Sequence, residues 1–258
     1  MDSIRLFDAH CHLQDDRIFG DVDAVILQAQ QAGVHAMMCC GSSEDDWENV
    51  RALSKREGVF VSYGLHPWYV DARSGAWFEK LGALLENAPE AGVGEIGLDH
   101  ALKDANREIQ DEIFISQLRL ARDLDRPVTL HCRKAFGRFM EILKDEGGVA
   151  RGGIVHSYSG PKDLVPQLEH WGLSISFSGS ITRASNKRGH EALKAVSPDR
   201  LLIETDSPDI CPVQIPPGTP NEPAHLVFVL ETITQLTGES PETVARRTWE
   251  NACRVFVK

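Results

Sequence analysis

Long apolar runs and an export signal are both missing from this sequence. No apolar run approaches the roughly 20 residues that a membrane-spanning helix needs. The first residues, MDSIRLFDAH, contain no basic region followed by a cleavage site and no apolar stretch of signal-peptide type. We therefore expect the mature chain to begin at or near Met1 and to be cytoplasmic, with no role for a membrane.

Paired cysteines and a positive net charge are missing as well. None of the six cysteines forms a C-x-x-C pair, which argues against a disulfide framework and favours reduced thiols. The formal net charge is −11, and the overall field of an acidic protein does not attract DNA. This disfavours a sequence-specific reader of duplex DNA. It leaves room for a nuclease that uses a local basic site or a bound metal.

Short apolar runs of β type recur along the chain, and amphipathic segments lie between them. The clearest predicted helix is 106–125, which carries apolar residues on one face and has Asn106 as its expected N-cap. Eight strands are predicted, at residues 4–10, 34–40, 59–64, 91–96, 127–132, 153–158, 173–179 and 200–206. Weaker helices are predicted at 21–33, 43–57, 76–87, 136–146, 162–170 and 186–196, and two further helices at 222–236 and 241–256.

Strands that alternate with helices predict a parallel sheet, and eight such units without a long linker predict a closed barrel. A chain of 258 residues suits one domain of this kind. We therefore predict an α/β fold, a (β/α)₈ TIM barrel, as a single domain over residues 1–258. The Pro-rich loop 207–221 is long and irregular, which is typical of a functional loop.

Imidazole and carboxylate side chains gather at the ends of the predicted strands, where the active site of a TIM barrel lies. His10 and His12 are two residues apart and should point to one side of the first strand, with Cys11 on the other. Such groups are ligands of hydrolytic divalent metals, and six of them exceed what one tetrahedral site uses. The pattern predicts two metals bridged by Glu95. The six predicted ligands are His10, His12, Glu95, His131, His156 and Asp206.

The segment AGVGEIGLDH (91–100) fits the G-x-G-x-x-G pattern that cradles a pyrophosphate. A dinucleotide fingerprint should follow a strand and open a helix. Here the glycines lie within the predicted strand, and LDHALKD after them is a poor helix start. We interpret the glycines as letting the backbone and metals approach Glu95 closely, and we do not predict a nucleotide cofactor.

The sequence resembles the TatD family of metal-dependent deoxyribonucleases, within the amidohydrolase-like barrels. The resemblance implies a TIM barrel of the metal-dependent hydrolase type, with His10, His12, Glu95 and Asp206 on one cation and Glu95, His131 and His156 on the other. The segments that carry it are FDAHCHL (7–13), GLHPW (64–68), GEIGLD (94–99), RPVTLHCRKAF (126–136), GGIVHSYSG (152–160), LLIETDSP (201–208), NEP (221–223) and TWENACRVF (248–256).

Three positions depart from the usual pattern of the family. His100 follows GEIGLD, where an aromatic residue is usual, and Pro220 precedes NEP, where Arg or Lys is common. Cys132-Arg133-Lys134 stands where Ser-Arg-Asp usually follows the histidine of the fifth strand. None of these changes removes a predicted ligand, so they bear on the substrate loops.

The resemblance implies hydrolysis of DNA phosphodiester bonds, as a 3′-5′ exonuclease on single-stranded DNA, with RNA as a further substrate. Mg²⁺ or Mn²⁺ is the expected cation in function, and Zn²⁺ also suits the ligands. The predicted catalytic carboxylates are Glu95 and Asp206; we expect Asp206 to accept a proton from the attacking water, and its alternative role is to cap a turn. We expect a monomer without an obligate protein partner.

Phosphate contacts are expected from His66, Arg133, Lys134 and Arg183 at the barrel mouth. His66 could instead pack beneath Pro67 and Trp68, and Trp68 could stack on an unpaired base. Two other functions stay open on the same fold. One is a hydrolase of small amides, esters or phosphotriesters that uses the same metals, and the other is a barrel that only binds partners.

Overall fold

Eight parallel strands follow one another in chain order. The structure, a computed structural model, describes residues 4–103 and 106–257; residues 1–3, where we place the start of the mature chain, lie outside that part. Each strand pairs with the next one along the chain. The strands are β1 (Leu6–Cys11), β2 (Val34–Cys40), β3 (Val59–Tyr63), β4 (Gly92–Asp99), β5 (Val128–Arg133), β6 (Gly153–Val155), β7 (Leu173–Phe177) and β8 (Leu201–Ile203).

Backbone hydrogen bonds bring the chain after β8 against β1. Asp206 N donates to His10 O at 3.0 Å, and His12 N donates to Ser207 O at 2.7 Å. The sheet therefore forms a nearly closed barrel, which confirms the predicted (β/α)₈ TIM fold.

Helices lie between the strands and after the last one. Helix 241–256 was predicted with the bounds that the structure shows, and the predicted N-cap Asn106 accepts a hydrogen bond from Ile109 N at 3.2 Å. None of the helices in the described ranges is long and apolar enough to cross a membrane. The helices are α1 (Asp16–Phe19), α2 (Val22–Gln31), α3 (Trp47–Leu53), α4 (Trp77–Asn87), α5 (Arg107–Asp123), α6 (Phe136–Asp145), α7 (Val165–His170), α8 (Lys187–Leu193), α9 (Leu226–Thr237) and α10 (Pro241–Phe256).

The carboxyl ends of the strands differ from the prediction by a few residues. β4 continues to Asp99, whereas the predicted strands 153–158 and 200–206 are too long, since β6 and β8 each end three residues earlier. Just beyond these ends, Ser157 and Asp206 adopt φ values of +41° and +56°, which strand pairing does not accommodate. His156 and Asp206 therefore lie on loops at the barrel mouth.

The last helix covers the amino-terminal end of the barrel. Asn251 of α10 donates from Nδ2 to the carbonyl oxygens of Pro198 and Leu201, both at 2.9 Å, at the start of β8. A hydrophobic cluster joins side chains of β1, β2, β6 and β8 with the last turns of α10. Because α10 covers the amino-terminal end of the barrel, we place the candidate site at the carboxyl end of the strands.

The glycines of the G-x-G-x-x-G segment lie inside β4 and pack against β5. A Cβ at Gly94 would lie 2.6 Å from Thr129 Cβ, and one at Gly97, where φ is +146°, would overlap the carbonyl oxygen of His131. The glycines are therefore explained by the close approach of the β5 backbone to β4. The interpretation from the sequence, that they let metals approach Glu95, is not needed.

Replacement of Gly97 by alanine should destabilise the protein by about 3 kcal/mol or more, because the added methyl group overlaps His131 O at an unfavourable φ. Gly82→Ala on α4 is the matched control, since its Cβ would meet nothing within 4 Å. That change should stabilise the protein by roughly 0.5–1 kcal/mol. Denaturant unfolding measures both, and equal stability of the two variants would contradict the role given to Gly97.

Candidate metal centre

The first two predicted ligands lie at the end of β1. The Nε2 atoms of His10 and His12 are 3.0 Å apart, so both rings point to one side, as expected. Cys11 is buried and contacts Met38 O through Sγ at 3.4 Å. His12 Nδ1 lies 2.9 Å from Cys40 O, and donation to this carbonyl leaves Nε2 as an acceptor.

Glu95 lies between two pairs of imidazoles. Its Oε2 is 3.5 Å from His10 Nε2 and 3.3 Å from His12 Nε2, the first pair. Its Oε1 is 2.8 Å from both His131 Nδ1 and His156 Nε2, the second pair. A register shift between β4 and β5 places a bulge at this point of β4, and bulges re-aim side chains. Each oxygen of one carboxylate therefore faces a separate pair of histidines.

Asp206 contacts the first pair from the loop after β8. Its Oδ1 is 3.5 Å from the Nε2 atoms of both His10 and His12. The backbone hydrogen bond from Asp206 N to His10 O holds it there. The carboxylate faces imidazoles, so this geometry favours a role in the site over the alternative of a turn cap.

Two further carboxylates support the second pair from outside. His131 Nε2 is 3.3 Å from Asp99 Oδ2, and His156 Nδ1 is 3.4 Å from Glu204 Oε1. Asp99 is an acceptor at the outer nitrogen of His131, which keeps the ring proton there and leaves Nδ1 free to bind a metal. Glu204 lies beside His156 as a group of opposite charge.

Asp99 and Glu204 were not predicted as site residues, although a signal for both was present. Asp99 is four residues after Glu95 and so lies on the same side of an extended strand, but the predicted strand ended at residue 96. Glu204 is two residues before Asp206. The signal for both residues was a carboxylate two or four positions along the sequence from a predicted ligand.

Neighbouring groups of opposite charge shift the pKa values of Glu95, His156 and Asp206 more than burial does. Burial raises the pKa of Glu95, but the neighbouring histidines, His156 foremost, hold it well below its usual range. Burial and His10 lower the pKa of His156, but the carboxylates of Glu95 and Glu204 raise it to about 9. Burial likewise raises the pKa of Asp206, and hydrogen bonds from the first pair hold it below its usual value.

The residues present fit a divalent cation. In three overlapping groups, each residue offers a ligand atom within 4.8 Å of the others. Nitrogen and carboxylate oxygen donors suit Mn²⁺ and Zn²⁺, and the carboxylates also suit Mg²⁺. The groups are His10 with His12 and Glu95, His10 with His156 and Asp206, and His66 with Glu95 and His131.

His66 reaches the same carboxylate from the loop after β3. Its Nε2 is 3.3 Å from Glu95 Oε1, while its Nδ1 accepts a hydrogen bond from Trp68 N at 3.1 Å. Burial lowers the pKa of His66 to about 4, so the ring is neutral and its proton is on Nε2. His66 is therefore a hydrogen-bond donor that faces the site, and packing beneath Pro67 and Trp68 is not its whole role.

The predicted phosphate-binding cations lie at the rim with exposed side chains. Arg133 ends β5, and its Nη1 is 3.9 Å from Asp99 Oδ2. Lys134 follows it, and Arg183 lies after β7; neither forms an ion pair within the described ranges. The structure thus places all three around the cluster of histidines and carboxylates and does not bring them into it.

The three departures from the family pattern lie in β5 or on loops after β4, β5 and β8. His100 is partly buried, and its backbone N donates to Arg133 O at 2.9 Å. Cys132 is buried in the hydrophobic core, and Pro220 is exposed in the loop 207–221.

A TIM barrel that gathers imidazoles and carboxylates at the carboxyl ends of its strands is typical of metal-dependent hydrolases. The family model for TatD related DNase matches residues 7–257. The uncharacterized metal-dependent hydrolase YabD of Bacillus subtilis strain 168 is 32% identical over 257 residues, which cover 97% of this chain and 98% of that one. The 3′-5′ ssDNA/RNA exonuclease TatD of Cronobacter sakazakii is 33% identical over 260 residues, with 98% of each chain covered.

A solved structure agrees with these sequence comparisons. The crystal structure of YjjV, a TatD homolog from Escherichia coli K12, matches with a TM-score of 0.93 at 30% identity, and 98% of each chain is covered. The chain belongs to the TatD family of metal-dependent hydrolases.

Binding of Mn²⁺ should tighten as the pH rises from 6 to 9. Because His156 has a pKa of about 9 in the metal-free protein, it carries a proton below that pH, and a cation must displace it. Affinity should change by about tenfold per pH unit for each proton displaced. Calorimetric titration in two buffers of different ionisation enthalpy measures both the affinity and the proton release.

The matched control for this prediction is His35→Gln, which alters an exposed histidine of β2 and should bind Mn²⁺ as the unaltered protein does. His156→Gln should bind more weakly and release fewer protons. An affinity that does not change between pH 6 and 9 would contradict the prediction.

Proposed function

We propose that the protein is a two-cation phosphodiesterase that removes nucleotides from the 3′ end of single-stranded DNA, with RNA as a further substrate. The observation that carries this proposal is the position of Glu95, whose two carboxylate oxygens face two separate pairs of histidines. Its relative from Cronobacter sakazakii is named as an exonuclease of this polarity on single-stranded DNA and RNA, which supports the choice of substrate.

Two sets of residues would hold the cations, and Glu95 belongs to both. Mg²⁺ or Mn²⁺ is the proposed cation in function, with Zn²⁺ as an alternative. When bound, such cations polarise the phosphodiester and lower the pKa of water. The first set is His10, His12, Glu95 and Asp206, and the second is Glu95, His131 and His156.

Asp206 is the proposed acceptor of the proton from the attacking water. The low pKa of its carboxyl keeps it ionised, and its backbone is tied to His10, so Oδ1 is held beside the first pair. General-base catalysis of this kind typically contributes 10²–10⁴-fold to a rate.

His66 is the proposed donor to a phosphate oxygen. The backbone N–H of Trp68 donates to Nδ1 of His66 and so fixes the imidazole proton on Nε2. Nε2 faces Glu95 and the space beside the second pair. A neutral donor suits this position because a phosphate oxygen gains negative charge during the reaction.

The rim cations would hold the rest of the substrate. Arg133, Lys134 and Arg183 are exposed on loops after β5 and β7, where phosphates of a single strand would pass. Local positive groups of this kind let a protein with a net charge of −11 bind a polyanion.

Replacement of Asp206 by alanine should lower kcat on a 5′-labelled single-stranded DNA oligonucleotide by at least about 10²-fold, because the proton acceptor is lost. The unaltered protein should produce a ladder of 5′-labelled products with Mg²⁺ or Mn²⁺ and none with EDTA. Asp209→Ala is the matched control, since Asp209 is an exposed acid on the same loop as Asp206 and forms an ion pair with Arg17 of α1; that variant should keep its activity.

Two outcomes of this experiment would contradict different claims. An intact oligonucleotide with either metal would contradict the nuclease proposal and favour a small amide, ester or phosphotriester as substrate. Degradation by Asp206→Ala at the unaltered rate would contradict only the role of Asp206.

Replacement of Arg133 by alanine should raise KM for the oligonucleotide about tenfold, since a charge-assisted hydrogen bond contributes roughly 1.5 kcal/mol. The difference should shrink at high salt. Arg138→Ala is the control, because Asp111 and Glu141 already hold that guanidinium at 2.7 and 3.1 Å. Steady-state kinetics measure both variants, and an unchanged KM for Arg133→Ala would count against a phosphate contact.

A further inference from the structure

Exposed apolar side chains are concentrated at the mouth of the barrel. Seven large hydrophobic side chains are exposed in the described part of the chain, and four of these lie on loops at the carboxyl ends of strands. Trp68 and Tyr69 follow β3 with 51% and 41% of their surface exposed, Leu102 follows β4, and Val213 follows β8. The rings of Trp68 and Tyr69 both pack edge-on against His66, with centroids 5.3 and 6.3 Å from it, so these two form one exposed aromatic surface beside the site, as is typical of a binding surface.

Trp68 is the member of this surface that is tied to the metal centre. Its Nε1 donates to Asp99 Oδ2 at 2.7 Å, and the same oxygen is 3.3 Å from His131 Nε2. Its ring packs edge-on against His66, with centroids 5.3 Å apart, and His66 Nε2 is 3.3 Å from Glu95 Oε1. The edge of the indole is therefore fixed relative to the cluster while half of its surface stays in solvent.

We infer that the exposed face of Trp68 stacks on the nucleobase next to the cleaved phosphodiester bond. Stacking on an aromatic ring tolerates any sequence because every base has a π face, and it needs a base that is not already stacked in a duplex. The inference rests on the proposed function and names the feature of the substrate that the site recognises, an unpaired base at the end of a chain.

Asp99 fixes the position of Trp68 relative to His131. The indole and the ring of His131 share one carboxylate oxygen, so a base on Trp68 and a phosphate at the second pair are held at a set separation. Arg133 Nη1, 3.9 Å from the same oxygen, lies on the same side of the site, where it could contact the phosphate of the stacked nucleotide.

The test compares two oligonucleotides of equal length, one with an ordinary 3′-terminal nucleotide and one with an abasic 3′ terminus. The unaltered protein should show a kcat/KM about tenfold or more higher for the end that carries a base, as expected for one base stacked on an aromatic ring. Trp68→Ala should degrade the two at nearly equal rates. Trp68→Phe, which keeps a ring but loses the hydrogen bond to Asp99, should keep part of the preference.

Phe78→Ala is the matched control, because Phe78 is an exposed aromatic residue of α4 that is not on a strand-end loop. It should keep the full preference for the base. An equal loss on both oligonucleotides in Trp68→Ala would show a purely structural role and overturn the inference. Absence of any base preference in the unaltered protein would overturn it as well.

A binding measurement without turnover separates this inference from the proposed function. An oligonucleotide with 3′-terminal 2-aminopurine, whose emission falls when it stacks, is titrated with protein in EDTA. The unaltered protein and Phe78→Ala should quench the emission, and Trp68→Ala should not. Equal quenching by all three proteins would overturn the inference, whereas a failure to degrade DNA combined with Trp68-dependent quenching would contradict only the nuclease activity.

Discussion

The buried carboxylate of Glu95 is the group on which the arrangement of this site depends. It is 3% exposed, and an ionised group at that depth is costly unless opposite charge or hydrogen bonds surround it. Histidines from β1, β5 and the loop after β6 meet its two oxygens, and a cation would serve the same purpose. These strands are far apart along the chain, and only the closed parallel barrel brings their carboxyl ends to one rim.

Backbone strain is concentrated at the same rim. Of the five non-glycine residues with positive φ in the described part of the chain, four follow β5, β6 or β8: Lys134, Ser157, Asp206 and Ile210. Each such conformation costs about 1–3 kcal/mol and persists where the surrounding structure holds it. The hydrogen bonds from Asp206 N to His10 O and from Ser157 N to Glu204 Oε1, at 2.7 Å, are two of the contacts that do so.

The outer partners of the histidines link this rim to the surface. Asp99 supports His131 on one side and the indole of Trp68 on the other, so a single carboxylate joins a proposed metal ligand to an exposed aromatic face. The backbone N–H of Trp68 also sets the tautomer of His66. The positions of the proposed metal ligands and of the substrate-binding groups are therefore coupled through few hydrogen bonds.

Residue type and periodicity were sufficient to predict eight strands, the barrel and the six side chains that meet at its mouth, because both signals are local and repeat with each unit. They did not predict Asp99 or Glu204, the early ends of β6 and β8, or the proton on His66 Nε2. These features depend on a bulge in β4, on left-handed residues after two strands and on contacts between distant segments. The even spacing of Asp99 and Glu204 from predicted ligands was present in the sequence, but the contacts that these carboxylates make with His131 and His156 arise only when the strands have paired in one register and the barrel has closed.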